Sequence, residues 1–207
     1  MPVDPPPSAL ALVCSLKKSP APSSSELLAT QVLEELSGHG VAGETVRVAD
    51  HDVFPGVTAD EGAGDAWPDL RVRIRDADIL LIATPTWLGH MSSVAQRVLE
   101  RLDAELSRTD EQGRPGMVGR VGIAAVVGNE DGAHKIVADL FQALNDIGYT
   151  VPAQGATYWN GEAMGGVDYN DLDKTPESVA RVNAGVARNA AHLARALRSE
   201  PYPPYPG

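Results

Sequence analysis

Cysteine is almost absent: the 207 residues carry one, Cys14. A single cysteine excludes an intrachain disulfide and any CxxC redox or zinc pair. It also excludes an iron–sulfur cluster held by several cysteines of this chain. The loop after the first apolar run has no GxGxxG, so the dinucleotide fingerprint is missing there, and no GxxxxGK[ST] marks a triphosphate loop. G-x-S-x-G is absent as well, which weakens a serine hydrolase. Basic residues are scarce, 17 against 28 acidic ones, for a formal charge of -11. That balance argues against nucleic acid as a partner, because phosphate backbones need a basic surface. No apolar run approaches the ~20 residues that span a bilayer, so no membrane partner is expected. Residues 1–8 are proline-rich and lack the basic segment of a secretory signal. The expected location is therefore cytoplasmic.

What is present alternates between strand-like and helix-like patterns. Ala9 to Cys14 is short and apolar throughout, as a central parallel strand is. Leu27, Leu28, Val32, Leu33 and Leu36 make a helical stripe that Gly38 and Gly40 end. Gly43 to Ala49 reads as a second, more exposed strand, and Asp50 to Asp65 as a loop. The stretch Trp67 to Arg75 fits both periods. Helix is the choice, because parallel strands need a crossover between them. Asp78 to Ala83 is the third strand, and Met91, Val94, Ala95, Val98, Leu99 and Leu102 line the next helix. Arg120 to Val127 is the fourth strand, followed by a helix that Gly148 closes. Thr150 to Thr157 is a fifth strand, placed at an edge by Pro152 and Gly155. Val179 to Leu197 carries the last helical stripe. The fold class is α/β, a three-layer domain over 9–198. Residues 1–8 are expected to be disordered and 199–207 to form a proline-rich tail, mobile or docked by its tyrosines on another subunit.

Three strand-end loops hold candidate chemistry. The first runs from Ser15 to Glu26. A helix start offers unpaired N–H donors and a partial positive field. Ser15, Ser23, Ser24 and Ser25 add hydroxyl groups, and Lys17 or Lys18 adds charge. Together they suit a phosphomonoester; the bland alternative is a serine N-cap in a solvated loop. The second loop, Thr84 to Ser93, offers Trp87 to an aromatic ring and the N–H groups of Thr86 to Gly89 to a ring edge. Trp87 sealing the core or a subunit contact is the alternative. The third, Gly128 to His134, brackets Asn129, Glu130 and Asp131 with glycines. His134 is a proton donor there or only a helix cap. A phosphomonoester joined to a flat donor–acceptor ring describes flavin mononucleotide.

Two motifs carry a family resemblance. Pro85-Thr86-Trp87-Leu88-Gly89-His90-Met91-Ser92-Ser93 resembles the Pro-Thr/Ile-Tyr/Trp-x-Gly-x-Met-Ser-Ser loop of flavodoxin-like NADPH-dependent FMN reductases and quinone reductases. Gly128-Asn129-Glu130-Asp131-Gly132-Ala133-His134 resembles the Gly-Asn-Glu-x-Gly-x-His loop of one subgroup. The resemblance spans roughly residues 8 to 198. It implies a flavodoxin-like fold with a five-stranded parallel sheet of order 2-1-3-4-5. It further implies FMN across the strand carboxyl ends, NAD(P)H as co-substrate and a quinone, free flavin or other small electron acceptor. A homodimer or homotetramer is expected. The implied cofactor-binding set is Ser15, Lys17, Ser23, Ser24, Ser25, Pro85, Thr86, Trp87, Leu88, Gly89, Gly128, Asn129, Glu130, Asp131, Gly132 and His134, with no catalytic side chain and no metal. The first loop departs from the family's Gly-Ser-x-Arg and Asn-Thr elements: Cys14-Ser15-Leu16-Lys17 and Ser24-Ser25 keep hydroxyl donors and one cation. An electron carrier without nicotinamide turnover is the alternative activity.

Overall fold

Strand β1 (Ser8–Val13) lies between β2 (Ala42–Arg47) and β3 (Ile79–Trp87), parallel to both. Beyond β3 come β5 (Val121–Gly128) and β6 (Ala156–Asn160), again parallel. A two-residue strand β4 (His90–Met91) pairs antiparallel with the end of β3. The order is β2-β1-β3-β5-β6 with β4 off the path, which is 2-1-3-4-5 for the parallel strands alone. The computed structural model describes residues 5–205. Among these, no helix is long and apolar enough to cross a membrane.

The helices are α1 (Ser24–Gly38), α2 (Trp67–Asp76), α3 (Ser93–Leu102), α4 (Ala133–Asp146) and α5 (Glu177–Ser199). Strand alternation assigns them to two layers. Leu10, Leu12, Leu80, Ile82, Ala124 and Val126 pack with residues of α2, α3 and α4. Ala9, Ala11, Val13, Leu81, Ala83 and Val127 pack with α1 and α5. The small residues on the second face meet Ala187, Ala190, Ala191 and Ala194, so α5 approaches the sheet closely. The ambiguous segment is helical: Trp67, Leu70 and Ile74 are buried, whereas Val72, which a strand would bury with them, is 54% exposed.

Two segments differ from the sequence reading. The fifth parallel strand begins at Ala156, not Thr150. Thr150 makes only an isolated bridge to Val121. Pro152 has no N–H to donate, and Gln154 adopts φ 53 in the turn that follows. Tyr158 and Trp159 lie inside β6. The segment from Thr84 is also not a plain loop, because β3 runs on to Trp87 and turns back into β4. Leu88 and Gly89 have φ 50 and 73, the paired positive angles of a tight hairpin turn.

At the termini, residues 1–4 lie outside the described residues. The Pro5 carbonyl accepts from Arg198 at 2.7 Å, and the Pro7 carbonyl from the Ala42 N–H at 2.9 Å. Over its described length the tail rests on its own chain. The Tyr205 N–H donates to the Gln112 carbonyl (3.0 Å), Arg114 donates to the Tyr202 carbonyl (2.6 Å), and the Tyr202 hydroxyl lies 3.1 Å from that of Thr150. The final two residues of the tail, 206 and 207, also lie outside the described residues.

Candidate functional site

The loop from Cys14 to Ser23 leaves β1 and is pinned from below. Arg47, at the end of β2 and buried, donates to the Ala21 carbonyl at 2.6 Å and forms an ion pair with Glu26 in the first turn of α1. Asp50 accepts from both the N–H and the hydroxyl of Ser19 at 2.7 Å. Those two bonds hold its carboxyl below the usual carboxylate range. Ser23 caps α1, its hydroxyl oxygen accepting from the Glu26 N–H at 3.2 Å. The N–H groups of Ser24 and Ser25, first in the helix, meet no acceptor among the described residues, as expected of a helix start. Ser15 and Ser25 are buried, and Lys17 is exposed. Cys14 is buried, and burial pushes its thiol up.

The hairpin and the third loop are latched together. The Glu130 carboxylate accepts from the N–H of Leu88 at 2.8 Å and from that of Gly89 at 3.1 Å. Two of the N–H groups expected to face a ring edge are thus taken by a side chain of the neighbouring loop. Gly132 presses on the hairpin from the same loop: a Cβ there would stand 2.7 Å from the Gly89 Cα. Gly128 plays the same part lower down, where a Cβ would meet that of Thr86 at 2.8 Å. Thr86 is consequently buried, while Trp87 is 55% and Leu88 88% exposed. Ser92 ties the hairpin to the first loop, its hydroxyl donating to the Cys14 carbonyl at 2.7 Å.

A segment after β6 crosses both regions. The Gly161 N–H donates to the Gly128 carbonyl at 2.8 Å, and the Met164 N–H to that of Asn129 at 3.1 Å. The Asn129 amide donates to the Asp168 carboxylate at 3.0 Å. Two residues on, the Asn170 N–H reaches the Ser24 hydroxyl at 3.4 Å. This strap links the phosphate-type loop to the ring-type loop. His134, in the first turn of α4, has Nε2 3.0 Å from the Tyr158 hydroxyl, with the rings edge to face.

Ser23, Ser24 and Ser25 therefore sit together at the start of α1, Ser15 lies just past the end of β1 with its hydroxyl accepting from the Lys17 N–H, and Leu88, Gly89, Glu130, Asp131 and Gly132 meet at the hairpin. Lys17 projects away from any side-chain partner among the described residues. Sequence reading gives no role to Arg47 and does not foresee the contacts of Asp168 and Tyr158. Their partners are 21 to 39 positions away, and no local pattern announces such pairs.

These residues fit a flavin phosphate. The free N–H groups and hydroxyls at the start of α1 suit an anionic phosphate. Thr86 Oγ1 and Asn129 Oδ1 are buried without a hydrogen-bond partner among the described residues. Native structures seldom leave such atoms unpaired, and both stand where the strand ends meet. Among the described residues no group of side chains is arranged to hold a metal ion.

Residues 7–163 match the family described as NADPH-dependent FMN reductase. The chain is 34% identical over 205 residues to 8-demethyl-8-aminoriboflavin-5'-phosphate synthase of Streptomyces davaonensis, covering 94% of this chain and 79% of that protein. It is 37% identical over 198 residues to the divalent metal cation transporter MntH of Mycobacterium bovis, where the match covers 92% of this chain but spans only 29% of the transporter. Among solved structures, RosB with bound 8-demethyl-8-formylriboflavin-5'-phosphate superposes with a TM-score of 0.86 at 32% identity, covering 95% of this chain and 82% of RosB.

Proposed function

This chain belongs to the NADPH-dependent FMN reductase family of flavin-binding oxidoreductases, and from that premise we propose that it is an NAD(P)H-dependent FMN or quinone reductase. One observation carries the reading. The donor-rich start of α1, the Glu130-latched hairpin and two orphaned polar atoms all lie at one edge of the sheet. FMN bound there supplies hydride and electron transfer between a reduced nicotinamide and a small acceptor.

The chain's own residues do the rest. Ser15, Ser23, Ser24 and Ser25 hold the phosphate, with Lys17 adding charge from the exposed loop. Pro85, Thr86, Trp87, Leu88 and Gly89 shape one wall. Gly128, Asn129, Glu130, Asp131 and Gly132 shape the adjoining one, and His134 stands at its end. No covalent nucleophile is needed. Exposed Trp87 and Leu88 also support a homodimer or homotetramer, since large apolar side chains left in water favour association.

A second reading has support of its own. The 34%-identical relative is named for making an aminated riboflavin phosphate, so the flavin can be substrate here instead of cofactor. One experiment separates the cases. NADH or NADPH is added anaerobically to the FMN-loaded protein, flavin absorbance is followed, and a quinone is then supplied. Bleaching followed by recovery, with extracted FMN of unchanged mass, is the result expected of a reductase. A changed flavin mass after a parallel aerobic incubation with an amino-acid nitrogen donor supports the second reading. Bleaching by dithionite but by neither nicotinamide supports an electron carrier.

A further inference from the structure

The turn between β3 and β4 carries two N–H donors, those of Leu88 and Gly89, and one carboxylate takes both. Glu130 Oε1 accepts from Leu88 at 2.8 Å and Oε2 from Gly89 at 3.1 Å. Leu88 is kept at φ 50, a region that few residues other than glycine occupy. Gly132, two residues after Glu130, packs on Gly89 with no room for a Cβ. Turning either N–H elsewhere therefore requires breaking the latch.

No cation neutralises that carboxylate. None of the ion pairs among the described residues involves Glu130, Asp131 or Asp168. Lys135, the nearest lysine in sequence, is paired with Asp139 at 2.6 Å. Asp131 accepts from the Gly132 N–H at 2.7 Å, and Asp168 from the Asn129 amide at 3.0 Å. The ring-type wall is thus negatively charged, and the N–H donors of its hairpin turn are occupied. The phosphate-type loop has the opposite character, with free N–H groups at the start of α1.

Hydride from a reduced nicotinamide brings two electrons and one proton, so an oxidised flavin ring gains one negative charge on accepting it. N–H donors at the ring edge favour that charge, and a carboxylate opposes it. Both act on a flavin's potential. We propose that Glu130 is a positioning residue that makes the bound, reduced flavin a stronger reductant than free FMN, by withholding the Leu88 and Gly89 donors from the ring and fixing its own charge in the same wall. The gain in reducing power is used when hydride leaves for a small acceptor and the ring loses the added charge. The proposal rests on the flavin reading of this site.

The test is redox titration of the FMN-loaded wild-type protein, Glu130→Gln and Asp131→Asn beside free FMN. The wild type is expected to hold oxidised FMN at least tenfold tighter than reduced FMN, which puts its midpoint potential about 30 mV or more below that of free FMN. Glu130→Gln keeps the side-chain shape but loses the charge and one of the two acceptor oxygens, and is expected to remove most of that difference. Asp131→Asn removes an exposed charge from the same loop without touching the latch, and is expected to move the potential less than half as far. In the flavin-free protein, amide hydrogen exchange at Leu88 and Gly89 is expected to be faster in Glu130→Gln than in the wild type, a readout that stands even if the variant holds FMN poorly. A wild-type potential at or above that of free FMN, equal shifts in the two variants, or unaltered exchange at both amides would overturn the proposal and leave the flavin reading intact. Failure of the wild type to bind FMN would overturn the flavin reading and the proposal with it.

Discussion

Gly132→Ala is expected to lose about 3 kcal/mol of stability, from overpacking of ~1–3 kcal/mol and backbone strain of ~1–3 kcal/mol. The added Cβ would lie 2.7 Å from the Gly89 Cα and 2.9 Å from its carbonyl carbon, at a residue whose φ is 141. Backbone on both sides leaves no flexible side chain to yield. For a chain of this size, ~3 kcal/mol lowers Tm by about 6–12 °C. The hairpin must move away from the third loop, so FMN affinity is expected to fall at least tenfold as well. Gly62→Ala supplies the control: its φ is 106, but nothing lies within 4 Å of the new Cβ. It is expected to show only the backbone cost, about 1 kcal/mol, with FMN affinity intact. Thermal melts and FMN titrations of the two variants read the difference. Equal effects would show that the contact with Gly89 is unimportant.

Asp65→Ala is expected to cost about 3–5 kcal/mol, the penalty for stranding the partner of a buried ion pair. Asp65 and Arg101 are 2.8 Å apart, and both side chains are inaccessible to water. The same carboxylate accepts from the N–H groups of Phe54 (3.2 Å), Glu61 (3.0 Å) and Trp67 (3.0 Å). It thereby shapes the whole connection from β2 to α2. Arg101 in turn donates to the Phe54 carbonyl at 2.9 Å and lies over the Trp67 ring. Desolvation raises the Asp65 pKa, but the three N–H donors and Arg101 outweigh it and leave the value at about 2, below the usual 3.8. A carboxyl depressed on folding stabilises the fold fully above its unfolded pKa and loses that contribution as pH falls through the folded one. Wild-type stability is therefore expected to decline as pH drops from about 3.8 toward about 2, and the decline is expected to be shallower in Asp65→Asn. Denaturant unfolding across that range checks both statements.

The central strands were legible because burial on both faces writes an unbroken apolar run, as in Ile79 to Ile82 and Val121 to Val127. Helix α2 was decided by topology where periodicity was divided, and the exposure of Val72 bears that out. Thr150 and Val151 have strand propensity, yet β6 starts only at Ala156. Pro152 and the turn at Gln154 interrupt the ladder until Ala156. Pro85 and Gly89 punctuate the hairpin as they would a loop, yet proline near a strand end needs no N–H in the ladder. The site's loops could be named from their residue types, but their mutual wiring could not. The resemblance places Glu130 in the cofactor-binding set, and its bonds to Leu88 and Gly89, 42 and 41 positions earlier, have no local signature. Such a bond depends on two strand ends arriving side by side, which only the assembled sheet provides. Arg47 was unreadable for the same reason: in sequence it is one charge closing an exposed strand, and in the fold it anchors the phosphate-type loop through Ala21 and Glu26.

The account turns on a flavin whose phosphate lies at the start of α1, and calorimetric titration of the flavin-free protein with FMN and with riboflavin tests it most directly. Charge-assisted hydrogen bonds contribute about 1.5–3 kcal/mol each, so two of them to the phosphate are expected to make FMN bind at least ~100-fold tighter than riboflavin. Equal affinities for the two flavins, or no heat with either, would contradict the assignment.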